Sequence, residues 1–285
     1  MGGSIMPIKI NHVFHIYSQK TPFQFEALQD VSLVIEEKSF TAIIGHTGSG
    51  KSTLIQHLNA LLLPTSGDLE VNGIVIRANQ LPKDVKKIRQ YAGVVFQFPE
   101  AQLFEERVID DVMFGPINFG KTKVQAMEAA KVALQQVGLD ASFFDRSPFE
   151  LSGGERRRVA IAGILAMQPK VLILDEPTAG LDPEGASMMM DLFTQLHQQG
   201  MTIILVTHDM ELVLKYANQV IVMEQGKVIS QSTPQTLFYG KQHNENFIKP
   251  PLVQLIEKLR KKGKTITAKQ ERSIADFVEA WKVKR

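Results

Sequence analysis

Gly45-His46-Thr47-Gly48-Ser49-Gly50-Lys51-Ser52-Thr53 follows an apolar run, Phe40–Ile44, and leads into a helical pattern over 52–62. It therefore completes a G-x-x-x-x-G-K-[ST] loop in the strand-to-helix setting that such a loop needs. The glycines free the backbone to curl its N–H groups around a polyphosphate, and the helix that follows directs the positive end of its dipole at the same charge. Lys51 is placed to neutralise the β- and γ-phosphates, and the Ser52 hydroxyl to hold Mg²⁺. His46, inside the loop, reads as a solvent-side position. A nucleoside triphosphate is the expected ligand.

Further along, Val171-Leu172-Ile173-Leu174-Asp175-Glu176 is an apolar strand that delivers two carboxylates at its end, with Pro177 breaking it. Asp175 is placed to hold Mg²⁺ through water, and Glu176 to polarise an attacking water. Between the two motifs lies Leu151-Ser152-Gly153-Gly154-Glu155, followed by Arg156-Arg157-Arg158 and a helical pattern to Leu165. A Ser-Gly-Gly turn at a helix N-terminus offers free N–H groups, a hydroxyl and the helix dipole, so it is a second anion-binding surface. One chain thus carries two.

The surrounding pattern reads as α/β. Residues 8–16 and 31–35 alternate as strands, and 68–76 holds a strand pair around the turn signal Asn72-Gly73. Residues 121–138 form a helical stretch ending at Gly138. The short apolar runs 171–174, Thr202–Val206 and 220–223, separated by helical stretches, are expected to form a buried parallel sheet. Beyond Pro250-Pro251 two amphipathic helices are expected: Leu252, Leu255, Ile256 and Leu259 on one face, and Ile274, Phe277, Val278 and Trp281 on another after a capping box over 267–270. They either pack on their own domain or meet a second subunit.

At 285 residues, 44% apolar and 22% charged, the chain can bury a full core. Its lack of cysteine excludes disulfides, thiolate zinc sites and a cysteine nucleophile, and suits a reducing compartment. No apolar run is long enough to span a bilayer, and Met1–Met6 lacks the basic and apolar regions of a signal peptide. The net charge of +2 conceals a basic tail: residues 250–285 hold ten Lys/Arg against four Asp/Glu. Such a tail is either a contact for an anionic surface or the solvated face of the two helices.

The Leu-Ser-Gly-Gly-Glu loop resembles the signature loop of the ABC ATPases, with Glu155 in place of their usual Gln. The resemblance implies a P-loop ABC ATPase fold: a RecA-like core, an antiparallel β lobe and a helical subdomain at about 98–165, together spanning 7–249, plus a C-terminal helical extension at 250–285. It implies that Ser152, Gly153, Gly154 and Glu155 close over ATP held by the other subunit of a dimer. It assigns Gln97 to the loop glutamine that reaches Mg²⁺ and the attacking water, Ala179-Gly180-Leu181-Asp182 to the D-loop, and His208 to the switch histidine at the γ-phosphate. Tyr17 matches the aromatic that stacks on adenine, with Phe25 as a rival. Lys38 stands where many relatives have a turn glycine, so that turn is expected to differ.

The segments 96–104 and 110–120 are similar to the ATP-binding subunits of energy-coupling factor transporters, most closely the second of two paralogous ATPases. This resemblance implies ATP hydrolysis at the cytoplasmic face of the cell membrane by a peripheral subunit. Its partners would be a paralogous ATPase, a transmembrane coupling protein and a separate membrane substrate-binding protein, with no nucleic acid. Phe98, Leu103 and Phe104 are then groove residues for a partner helix, or else lobe-to-lobe packing. A soluble ABC ATPase acting on ribosomes or DNA is the alternative. Such chains usually carry paired nucleotide domains, a long coiled-coil insertion or zinc modules, none of which is present.

Overall fold

The computed structural model describes residues 7–240, 249–263 and 271–283. Its strands are β1 (Ile8–Tyr17), β2 (Phe25–Ile35), β3 (Phe40–Ile44), β4 (Ser66–Val71), β5 (Ile74–Arg77), β6 (Ala92–Val95), β7 (Val171–Asp175), β8 (Thr202–Val206), β9 (Gln219–Glu224) and β10 (Lys227–Ser232). The helices are α1 (Lys51–Leu58), α2 (Val85–Tyr91), α3 (Val108–Asn118), α4 (Lys123–Gln136), α5 (Gly153–Leu165), α6 (Pro183–Gln198), α7 (Met210–Tyr216), α8 (Pro234–Tyr239), α9 (Pro251–Lys261) and α10 (Ile274–Val283).

Two sheets form. The larger has the order β10-β9-β3-β8-β7-β6, with β9, β3, β8, β7 and β6 parallel and β10 an antiparallel edge. Every residue of β3 is buried, as expected of a central parallel strand covered on both faces. Its side chains alternate between two cores. Phe40, Ala42 and Ile44 pack with the helices α3 to α6, whereas Ile43 packs with the other lobe, following the two-residue period of a strand. That lobe is the antiparallel sheet β2-β1-β4-β5. Between β4 and β5, Asn72 and Gly73 both take positive φ, 52° and 71°, so the Asn-Gly signal builds the tight turn it foretold.

Register brings the functional ends level. Ile43 pairs with Val206, and Val206 with Asp175, so the ends of β3, β8 and β7 meet at one edge. Loops at the carboxyl ends of parallel strands are where such folds hold ligands. Here those loops are the phosphate loop, the His208 turn and the paired carboxylates.

Several local expectations change. The first helix stops at Leu58, four residues short, because Ala60 turns left-handed at φ 55°. Strand β2 begins at Phe25 and β1 ends at Tyr17. The turn at Lys38 does not depart from a glycine-like conformation: Lys38 itself adopts φ 53°, and its N–H donates to Thr202 Oγ1 at 2.8 Å. In α4, Thr122 and Gln125 close a reciprocal capping box, and Gly138 ends the segment at φ 76°.

At the C-terminal end, Leu252, Val253, Ile256 and Phe277 join the main core beside Leu237 and Phe238. These helices therefore pack on their own domain, although Ile274 and Val278 stay exposed. The capping box at 267–270 and the Trp281 side chain lie outside the described residues.

Candidate nucleotide site

The phosphate loop is braced from below. A Cβ at Gly45 would stand 2.3 Å from the Met223 carbonyl oxygen, and one at Gly50, which has φ 98°, would stand 2.6 Å from that of Ala27. Neither position has room for a side chain. The Gly226 N–H donates to Ser49 O, and Gln29 N–H to Gly226 O, so the β9–β10 turn props the loop against β2. His46, Thr47 and Gly48 face solvent. Lys51 folds back over its own loop, donating to Gly45 O at 2.7 Å and His46 O at 2.9 Å. Burial lowers its pKa, while Glu176 and Asp175 oppose that shift, so the ammonium is held beside two carboxylates in a partly dehydrated place.

Ser52 Oγ lies 3.5 Å from Asp175 Oδ2. Burial raises the Asp175 pKa, and Glu176 adds to the effect, against Lys51 and the Ser52 hydroxyl. A half-buried carboxylate with a raised pKa next to a hydroxyl is a hard-oxygen pair suited to a cation. Among the described residues no group of three or more His, Cys, Asp or Glu could hold a metal alone. The pair therefore fits Mg²⁺ that arrives with phosphate oxygens and water, which is how Mg²⁺ usually binds nucleotide sites. Gln97 is exposed in the turn after β6, and no hydrogen bond among the described residues ties it to Ser52 or Asp175.

Glu176 occupies a strained position at φ 49°, with its N–H donating to Val206 O at 3.0 Å. A non-glycine residue there costs on the order of 1–2 kcal/mol. The turn carries the carboxylate across to β8, where Oε1 lies 2.7 Å from His208 Nδ1 and Oε2 3.5 Å from Thr207 Oγ1. The His208 side chain is 82% exposed and that of Glu176 18%. A shielded carboxylate is thus hydrogen-bonded to an outward-facing imidazole. Thr207 was not expected at the site, since its only sequence signal is its place beside His208.

The second anion surface is intact and turned outward. Ser152 caps α5, its Oγ accepting from Glu155 N–H, while the Glu155 carboxylate accepts from Ser152 N–H at 2.8 Å and Ser152 O–H at 2.7 Å. Those bonds lower the Glu155 pKa. A Cβ built on Gly153 or Gly154 meets nothing within 4 Å. Glycine in a helix costs about 1 kcal/mol relative to alanine, yet nothing inside this chain requires it at either position. An approach from outside the chain would.

Arg157, which sequence reasoning did not single out, joins these parts. Its guanidinium donates through Nε and Nη2 to Glu100 at 3.0 and 2.9 Å, and through Nη1 to Ala179 O at 2.8 Å and Pro177 O at 3.3 Å. Phe98 lies beneath it, 5.7 Å to the ring centroid. One side chain thus ties the signature helix to the turn after Gln97 and to the segment after Glu176. Its signal was periodicity: it lies four residues before buried Ile161, on the inward face of α5.

Tyr17 is brought to the phosphate loop, its hydroxyl 3.3 Å from Thr53 Oγ1. Phe25 is its cross-strand partner in the β1–β2 register and is more exposed, 57% against 37%. Phe98 and Phe104 are exposed and Leu103 packs partly on the core. Phe104 meets Phe114 edge to face at 4.9 Å, and its turn is pinned by buried Asp111, which accepts from the N–H groups of Phe104 and Glu105.

A phosphate loop and a carboxylate–imidazole pair at adjoining strand ends, with a separate outward Ser-Gly-Gly surface, define an ATP-binding cassette, and the ABC transporter family profile matches residues 28–179. The chain belongs to that family. Its relatives include the energy-coupling factor transporter ATP-binding protein EcfA2 of Bacillus licheniformis, 55% identical over 83% of this chain and 82% of that one. EcfA2 of Streptococcus agalactiae is 50% identical over 97% of this chain and 99% of its own length. Among solved structures, cbiO1 of Clostridium perfringens, part of the ABC transporter complex cbiONQ, superposes with a TM-score of 0.73 at 37% identity, covering 90% of this chain and 94% of that one. An ATP-binding cassette solved as a dimer in a post-hydrolysis state with ADP and Pi gives 0.69 at 30% identity, over 80% and 98%.

Proposed function

We propose that this chain is the ATP-binding and ATP-hydrolysing subunit of an energy-coupling factor importer for vitamins or other micronutrients. It would work at the cytoplasmic face of the membrane, with residues 7–249 as the nucleotide-binding unit and 250–285 as a helical extension. The observation that carries the mechanism is the pair of glycines, Gly153 and Gly154, left open at the capped end of α5. In the proposed dimer, ATP held by Lys51 and Ser52 of one subunit is covered by Ser152 to Glu155 of the other, and Tyr17 stacks on the base.

On closure, Lys51 turns its ammonium from the loop carbonyls to the phosphates. Glu176 accepts the proton of an in-line water, and His208, hydrogen-bonded to Glu176, faces the γ-phosphate. Mg²⁺ held by Ser52 and Asp175, with Gln97 reaching it on closure, would supply charge neutralisation at the phosphates. Loss of the γ-phosphate removes the bridge between subunits and reopens them. The exposed aromatics Phe98, Phe104 and Phe114 offer apolar surface for a helix of a membrane coupling protein, and a paralogous ATPase and a membrane substrate-binding protein complete the assembly.

The test is affinity purification of this chain from its own membranes in mild detergent, with co-purifying polypeptides identified by mass spectrometry. A second ABC ATPase and an integral-membrane coupling protein are expected. Recovery of ribosomes, nucleic acid or no membrane protein would overturn the transport reading and leave the ATPase chemistry standing.

A further inference from the structure

Two histidines play no part in this chemistry, yet they sit directly beneath it. His57, fully buried on α1, has Nδ1 2.7 Å from Thr53 O, and its Nε2 is 3.1 Å from Nδ1 of His15. His15 Nδ1 is also 3.1 Å from Leu63 O. Carbonyl oxygens only accept, so each Nδ1 carries a proton. His57 Nε2 is then bare and accepts from His15 Nδ1–H, which is shared with Leu63 O. Burial lowers the pKa of both rings, that of His57 to about 4, so the pair is neutral at physiological pH.

The contacts close a circuit. His15 and Tyr17 stand on the same side of β1, two residues apart, with ring centroids 4.5 Å apart at 73°. The His15 and His57 rings meet at 4.8 Å and 80°. Tyr17 returns to Thr53, in the first turn of α1 directly after the phosphate loop, through its hydroxyl. Thr53 thus meets His57 with its carbonyl and Tyr17 with its hydroxyl.

We propose that His15 and His57 are positioning residues for nucleotide binding: a neutral imidazole pair that fixes the Tyr17 ring relative to the phosphate loop, so that base and phosphates are bound in register. This rests on the reading of Tyr17 as the base contact. The pair stiffens a side chain that is more than one-third exposed and would otherwise give up rotamer freedom when a base stacks on it. Its effect therefore belongs to ligands that carry a base.

Calorimetric titration of the purified chain with ATP and with inorganic tripolyphosphate, both in Mg²⁺, separates the cases. His15→Leu and Tyr17→Ala are each expected to weaken ATP about tenfold while leaving tripolyphosphate unchanged, and the double variant to match Tyr17→Ala alone. Unaltered tripolyphosphate binding also reports an intact fold, and His57→Gln provides a second disruption of the pair. If Tyr17→Ala leaves ATP affinity unchanged, the base contact itself falls and this inference with it. If Tyr17→Ala weakens ATP but neither histidine variant does, or a histidine variant weakens both ligands equally, the positioning role is overturned and the base contact stands.

Discussion

Replacing Glu100 by alanine should destabilise the protein out of proportion to a surface turn. The Arg157 side chain is 4% exposed and that of Glu100 21%, and the two are joined by parallel bonds of 3.0 and 2.9 Å. Burial, the largest single influence, would raise the Glu100 pKa, but its bonds to Arg157, a backbone hydrogen bond and the charges of Arg157 and Arg156 together outweigh that and hold it lowered. Glu100 is therefore ionised at neutral pH, facing a side chain whose guanidinium is always charged in proteins. Breaking a buried pair costs about 3–5 kcal/mol, because the remaining ion is stranded. Here the stranded guanidinium keeps the carbonyls of Ala179 and Pro177, which places the expected loss for Glu100→Ala near the lower end, about 3 kcal/mol. Arg157→Met should cost less, about 2 kcal/mol, since the freed carboxylate can reach water. The double variant should lose less than the two together, by about 2 kcal/mol. Urea unfolding of the four proteins, read at constant m, measures this cycle. A loss below about 0.5 kcal/mol for Glu100→Ala, or additivity within that margin, would refute the idea that this pair holds α5 to the two segments.

Glu176→Gln preserves shape but removes the base, so ATP affinity should persist while turnover in the assembled complex drops about 100-fold or more; near-normal turnover would remove Glu176 as the principal base. Glu155→Gln keeps the bonds to Ser152 but deletes a negative charge at the turn proposed to face the partner's ATP. The KM for ATP should fall roughly two- to fivefold at low salt and converge with the parent at high salt; a salt-independent result would count against the electrostatic account. His57 gives a pH signature. Its folded pKa, about 4, lies below the ordinary 6.5, so the unfolded chain binds the extra proton between these values and stability declines as pH falls from 6.5 to 4. The loss reaches about 3 kcal/mol. His57→Gln should flatten that part of the stability curve, and parallel curves for both proteins would show that His57 charges without penalty.

The sequence made the strand ends and their loops legible because each is specified locally. Phe40–Ile44 and Thr202–Val206 are short apolar runs whose composition alone marks buried strands, and both form over those residues. The helix start at Ser152 was written in its cap. Three kinds of feature were hidden. Left-handed residues without glycine, such as Lys38 and Glu176, adopt their conformation because neighbouring strands accept their N–H groups, and those strands are distant in sequence. The Arg157 bridge spans 57 residues to Glu100, and within a run of three arginines only helical phase distinguishes it. Likewise, His15 and His57 look like ordinary polar residues until a strand and a helix bring them to 3.1 Å.

What this arrangement separates is as telling as what it joins. Lys51, Ser52, Asp175, Glu176 and His208 gather where three parallel strands end in register, an edge fixed by backbone hydrogen bonds. The Ser152 turn instead belongs to a helix that packs with α3 and α4, and Arg157 on that helix reaches the backbone just beyond Glu176. A shift of the turn around Phe98 and Glu100 must therefore be shared with both the signature helix and the segment after Glu176, because a guanidinium in a dry pocket cannot part from Glu100 without leaving a charge unpaired. A helix docking against the exposed Phe98 and Phe104 would act on that turn first. Load applied at those exposed aromatics and the proposed closure around nucleotide would then meet through the Arg157 bridge.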